Sequence, residues 1–189
     1  MKYSLEKFRQ LIYETLDYER FRHCIGVEVL ANELAKKFGL DAEAASLAAL
    51  THDLAKEYPL EEQVQKAKEW GLIYYPEDIE NPKVIHGRLA AHILEKEHNI
   101  SDKDILNAVA NHTLGRPGMS PLEMLIYSAD LTEPGRDFPG VDNLRQELYH
   151  DLREGTLACV EYVLNHLQES QKPIHPLTLL TYEDLKKLK

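Results

Sequence analysis

An all-α domain is what this sequence predicts, on three observations. Apolar residues recur at three- and four-residue spacing almost throughout, no stretch shows the strict alternation of a half-buried strand, and helix start and stop signals fall between the apolar stripes. At 189 residues, a single domain of residues 1–189 can bury roughly 70% of its unfolded surface and needs no disulfide staples. The expected core of that domain is residues 18–165, followed by a loosely packed tail at 171–189.

The elements follow in order. Leu5, Phe8 and Ile12 mark a first helix. Val27, Leu30, Leu34 and Phe38 mark a second, stopped by Gly39, the residue type that most readily takes the left-handed turn after a helix. His23 continues its stripe one turn earlier. Asp41 can cap a third helix, whose alanines permit close packing and which runs through His52-Asp53 until Pro59 ends it. A polar helix from Leu60 to Trp70 follows and is closed by Gly71, and residues 74–82 are irregular. The next helix carries His86, Leu89, Ala90 and Ile93 on one face. Ser101 and Asp104 open another in capping-box fashion, with Ile105, Val109 and His112 sharing a face. A loop at 113–119 precedes Ser120-Pro121-Leu122-Glu123, a cleaner start signal, and that helix reaches Asp130. A second loop, 132–140, leads into a long helix from Asp142, bent near Gly155. A short last helix lies in the tail.

Composition narrows the function classes. Cys24 and Cys159 are the only cysteines and have no metal-ligand spacing, so they read as small core residues of a reduced compartment. The charged start of the chain lacks the apolar run of a signal peptide, and no segment approaches the roughly 18 to 20 apolar residues of a membrane span. A soluble, cytoplasmic protein is expected. The net charge of −10 opposes sequence-independent nucleic-acid binding, whose affinity rests on Lys and Arg against phosphates. A small anionic substrate remains open if positive charge is concentrated locally, and a homodimer is admitted.

His52-Asp53 is the pair that points to chemistry. Taken singly, a histidine on an apolar face reads as a satisfied core residue, and Asp130 as a helix-end residue bonded locally. Together, His23, His52, Asp53, His86, His112 and Asp130 are repeated polar intrusions into apolar stripes. Each costs a few kcal/mol if unpaired, and one shared metal satisfies them at once. Imidazole nitrogen with carboxylate oxygen suits Fe, Mn, Ni or Zn. Adjacent helical residues diverge by about 100°, so His52 and Asp53 reach one ion only at the helix flank, with His23 and Asp130 arriving from neighbouring helices.

The order His23, His52-Asp53, Asp130 resembles the HD-domain superfamily of metal-dependent phosphohydrolases over residues 18–165. The phrases Arg22-His23, Thr51-His52-Asp53-Leu54-Ala55-Lys56, Ile85-His86-Gly87, Asn111-His112-Thr113 and Tyr127-Ser128-Ala129-Asp130 look like its bacterial YqeK branch, as does Glu133-Pro134-Gly135-Arg136. The resemblance implies an HD-type helical bundle with the metal between helices. It also implies symmetrical cleavage of diadenosine tetraphosphate to two ADP, with iron as the foremost metal and Mn, Ni, Co or Zn as alternatives. His23, His52, Asp53 and Asp130 would be the metal ligands. His86 and His112 would hold a second ion or touch phosphate.

The expected catalytic set is Asp53, Lys56, His86 and His112, and the expected phosphate-binding set is Arg22, Lys56, His86, Arg88, His112 and Arg136, because guanidinium groups suit phosphates. Arg20 and Arg116 read as surface residues, and His98, His150, His166 and His175 as surface or tail residues. Trp70, Tyr74 and Tyr75 could stack on a base but read as packing residues. Two competing readings keep the fold: hydrolysis of a nucleoside monophosphate or cyclic nucleotide, and a nucleotide-binding sensor without turnover.

Overall fold

The computed structural model describes residues 3–187. Met1, Lys2, Leu188 and Lys189, which the single-domain expectation includes, lie outside the described residues. Among the described residues there is no strand, and the helices run α1 (Leu5–Thr15), α2 (Tyr18–Phe38), α3 (Ala42–Thr51), α4 (Leu60–Glu69), α5 (Glu77–Glu80), α6 (His86–Lys96), α7 (Lys103–Asn111), α8 (Pro121–Thr132), α9 (Val141–His150), α10 (Leu152–Glu169) and α11 (Pro176–Lys186), with a 3₁₀ turn at Pro82–Val84. No described helix is long and apolar enough to cross a membrane.

The central helix is α3. Every residue from Ala44 to Thr51 is buried, as expected of a helix apolar on all sides. Its small side chains let α1, α2, α7 and α8 pack around it, while α6 pairs with α7 and α10 covers α8 and α9. Caps hold these elements where the sequence places them. Asp17 accepts the Arg20 N–H at the start of α2, and Gly39 ends that helix at φ 68°. Ser120 and Glu123 complete a capping box at the start of α8.

Five local expectations are corrected. First, α3 stops at Thr51 instead of continuing to Pro59. His52 is its C-cap, and the Leu54 and Lys56 N–H groups turn back onto the Thr51 and Asp53 carbonyls. Second, α7 is capped by Asp102, which accepts the Asp104 N–H, and not by Ser101. Third, residues 74–82, expected to be irregular, contain the short helix α5 and lead into the 3₁₀ turn, and the helix carrying His86 begins at His86 itself. Fourth, the long helix after the second loop is two helices, broken at Asp151, which caps α10. Gly155 is the contact point between them: a Cβ there would stand 2.5 Å from the Leu148 Cα.

Fifth, the tail is packed. Leu185 and Thr181 of α11 are buried, and the Thr181 hydroxyl donates to the Leu114 carbonyl at 3.1 Å. His175, read as a surface or tail residue, does lie in the tail but is buried, with Nε2 3.2 Å from Asp78 Oδ1. Asp78 also accepts from the Tyr74 and Tyr75 N–H groups and from Arg88 Nη1, at 2.7 Å for the last. This fully buried carboxylate fixes the segment before α6 and ties α11 to it.

Candidate metal centre

Near the ends of α3, α6, α7 and α8, and in the second turn of α2, six polar side chains converge. His52, Asp53, His86 and His112 are buried; His23 and Asp130 are partly open to a cleft. The local cause is shared by three histidines. His52, His86 and His112 sit at helix ends, where the carbonyl three residues earlier is free, and each ring Nδ1 lies on it: Ala49 at 2.6 Å, Lys83 at 2.7 Å and Val109 at 2.8 Å. Those carbonyls place a proton on each Nδ1 and turn each Nε2 toward the centre.

These nitrogens face one another. His52 Nε2 is 3.3 Å from His23 Nε2, and His86 Nε2 is 3.0 Å from His112 Nε2. Asp53 stands between the two pairs with its oxygens divided. Oδ1 is 2.9 Å from His86 Nε2 and 3.6 Å from His112 Nε2; Oδ2 is 3.6 Å from His52 Nε2 and 4.0 Å from His23 Nε2. Asp130 Oδ1 closes the other side, 2.9 Å from His23 Nε2 and 3.8 Å from His52 Nε2. Lone pairs at such separations repel unless a proton or a cation lies between them. Two trios have ligand atoms all within 4.8 Å of one another, His23 with His52 and Asp130, and His52 with Asp53 and His112. This donor set fits a transition metal.

Electrostatics point the same way. Burial pushes the His52 imidazole down to about 4, keeping it neutral. Burial likewise lowers His86, against the pull of Asp53. For Asp53, burial acts upward but is outweighed by His52, His112 and His86, which hold the carboxyl well below its ordinary value. Asp130 is depressed by His23, His52 and His112 against the same penalty of burial. His23 moves the other way: burial acts to lower it, but Asp130 and Glu133 outweigh that and raise it. Ionised carboxylates beside the neutral His52 and His86 rings are protonation states that metal ligation requires.

The cations around the centre divide by position. Lys56 Nζ lies 3.3 Å from His86 Nε2 and 4.0 Å from Asp53 Oδ1, and burial lowers its pKa. Arg136 Nη2 donates to Asp130 Oδ1 at 3.0 Å. Arg22 is exposed, and with Asp17, Arg20, His23, Glu133 and Arg136 it lines a cleft of about 370 Å³ that opens onto His23. Arg88 is not brought to the centre. It is buried, paired with Asp78, and borders a separate groove between α6 and α7 under Tyr74. Its place in the phosphate-binding set is set aside, because its ionic partner is already supplied.

Two residues of the site escaped sequence reasoning. Arg20, read as a surface residue, donates to Asp53 Oδ2 at 2.8 Å; its spacing three residues before His23 on the same helix was the available signal. Glu133 reaches His23 Nδ1 at 3.2 Å from a loop 110 residues away, and nothing local foretold that contact. The aromatic side chains weighed for stacking lie elsewhere: Trp70 stacks on His92, and Tyr75 meets His175 edge-on.

Comparison with known proteins adds the following. The HD domain family matches residues 20–135. The chain is similar, at 38% identity over 171 residues covering 90% of it and 91% of the relative, to a Bacillus subtilis protein named symmetrical bis(5'-nucleosyl)-tetraphosphatase. A Halalkalibacterium halodurans protein of the same name is 36% identical over 183 residues, covering 95% of each chain. A solved structure from Clostridium acetobutylicum, described as a "predicted HD superfamily hydrolase involved in NAD metabolism", superposes with a TM-score of 0.94 at 35% identity, covering 99% of each chain.

Proposed function

This chain belongs to the HD domain family, and from that premise we propose that it is a metal-dependent hydrolase that cleaves diadenosine tetraphosphate symmetrically into two molecules of ADP. The observation that carries this reading is the convergence of imidazole nitrogens and ionised carboxylates at the foot of a cleft edged by Arg20, Arg22 and Arg136. The named relatives support the substrate.

His23, His52, Asp53 and Asp130 would hold the first ion, and His86 and His112, with Asp53 Oδ1, a second. Iron is our first choice, with Mn, Co, Ni and Zn as alternatives for this N and O donor set. A metal bound there supplies an activated water near neutral pH and polarises a phosphoryl oxygen. The remaining tasks fall to side chains. Arg20 neutralises the Asp53 oxygen nearest the cleft and fixes its orientation. Lys56, half-buried beside His86, is placed to donate to an oxygen of the reacting phosphoryl group, where charge develops. Arg22 and Arg136 lie along the open cleft, where they offset the negative charge of a polyphosphate chain that the acidic remainder of the protein would repel. Attack at an inner phosphorus then expels ADP, an anionic leaving group held by those same cations.

The test is incubation of metal-loaded protein with diadenosine tetraphosphate, chromatographic separation of the products, and a chelator-treated control. ADP as sole product that the chelator abolishes is the expected result. ATP with AMP would mean attack at a different phosphorus and would sink the symmetrical assignment. No turnover of this substrate, with cleavage of a nucleoside monophosphate or cyclic nucleotide or with binding alone, would replace it with one of the competing readings.

A further inference from the structure

Three of the four histidines at the centre orient themselves with a backbone carbonyl of their own chain segment; His23 has none. It lies inside α2, where the carbonyls of the preceding turn are taken by the helix's own hydrogen bonds. Its Nδ1 meets Glu133 instead. Glu133 is buried although it stands in the loop between α8 and α9, and a carboxylate out of water requires partners for both oxygens. Oε1 lies 3.2 Å from His23 Nδ1, and Oε2 accepts the Gly135 N–H at 2.5 Å.

Room for that carboxylate is made on α2. Gly26, one turn beyond His23, has no side chain, and a Cβ there would overlap Glu133 Oε2. The loop backbone is pinned from α9, where Arg145 donates to the carbonyls of Thr132 at 2.9 Å, Glu133 at 2.8 Å and Arg136 at 2.9 Å. Arg136 in turn holds Asp130 through its side-chain oxygen and its carbonyl. The segment from Glu133 to Arg136 therefore grips His23 with one end and Asp130 with the other.

We propose that Glu133 is a positioning residue of the metal centre: by accepting the His23 Nδ1 proton it fixes the tautomer of that ring and aims the bare Nε2 at His52 and Asp130, with Gly26 as the notch that admits it. The proposal rests on the metal-centre reading above and is independent of which nucleotide is cut. A carboxylate behind a ligating imidazole also raises the basicity of the ligand, and loss of such a partner costs about 10- to 100-fold in metal affinity or activity.

The experiment compares wild type, Glu133→Ala, Glu133→Gln and Gly26→Ala in the full chain. Co²⁺ is titrated against a competing chelator and followed by visible absorption, and the melting temperature of each metal-free protein is measured alongside. Glu133→Ala is expected to weaken Co²⁺ binding by about 10- to 100-fold and to alter the absorption bands. Glu133→Gln still accepts the Nδ1 proton but can no longer accept from both partners, so its loss should be smaller. Gly26→Ala should weaken Co²⁺ binding without lowering the metal-free melting temperature, because alanine favours a helix over glycine.

Wild-type affinity in Glu133→Ala would overturn the proposal. So would Gln losing as much affinity as Ala with the loss tracking metal-free stability, since that pattern belongs to loop packing. A wild-type protein that takes up no Co²⁺ would overturn the proposal and the metal centre together. Tight Co²⁺ binding with diadenosine tetraphosphate left intact would remove only the substrate, and the affinity ratios would still decide the role of Glu133.

Discussion

Asp53 touches more of the centre than any other side chain, because its two oxygens face different pairs of imidazoles. Asp53→Asn keeps the shape but replaces one acceptor with a donor aimed at imidazole nitrogens. It should abolish metal retention and hydrolysis while the circular-dichroism spectrum stays helical; normal turnover by the purified variant would refute the assignment. Lys56→Ala should leave metal content intact and lower kcat by about 10²- to 10³-fold, the usual loss for a donor placed on developing charge. Arg22 is exposed at the cleft, so Arg22→Ala should act on affinity, raising KM about tenfold with kcat little changed. A fall in kcat alone would move Arg22 from holding the substrate to the reacting phosphate. At this scale the convergence of these side chains was legible because histidine and aspartate are costly on an apolar stripe unless something is there to satisfy them. Arg88 was misplaced for a related reason: its nearness to His86 in sequence says nothing about Asp78, the carboxylate ten residues earlier that claims it.

Helices were readable where caps and stripes are local, as at Gly39, Asp41 and Ser120. They were misread where a tertiary contact ends them. The turn after His52 exists because Asp53 is drawn in among imidazoles from three other helices, and the break at Asp151 lets α10 cross α9 at Gly155. Gly155→Ala should therefore cost about 1–3 kcal/mol in a denaturant melt, as overpacking does, although alanine is the better helix former. Asp78 is the corresponding hub for α6 and α11. Removing the carboxylate leaves Arg88 buried without its partner, so Asp78→Ala should cost about 3–5 kcal/mol. Burial acts to raise the Asp78 carboxyl, but Arg88 and the Tyr74 and Tyr75 N–H groups together hold it below 3.8. With the folded value depressed, the stability that its ionisation contributes is present above about pH 3.8 and lost as pH falls through the folded value. The stability gap between wild type and Asp78→Asn should thus be constant from pH 7 to 5 and narrow below 4; a gap that widened on acidification would contradict the ion pair.

For the molecule as a whole, a metal that binds only the folded state adds stability by mass action, about 2.7 kcal/mol at a free concentration 100 times its dissociation constant. Melting temperature should accordingly rise with added metal and fall with chelator, and Asp53→Asn should show neither response. The fold class was visible in the sequence because a three- and four-residue period is a local property, whereas the docking of α11 depends on His175 meeting a carboxylate 97 residues earlier. The same long reach governs how the protein is made. His23 and Asp130 become neighbours only when α8 packs against α2. In a chain growing from its N-terminus these two side chains cannot meet before Asp130 has been synthesised, and domains emerge and fold in that order. The grip of Glu133 on His23 follows within a few residues, and the docking of α11 on Asp78 through His175 comes later still. A chain truncated before His175 would therefore keep all six side chains of the centre yet lack the contact that holds Asp78 from the far end.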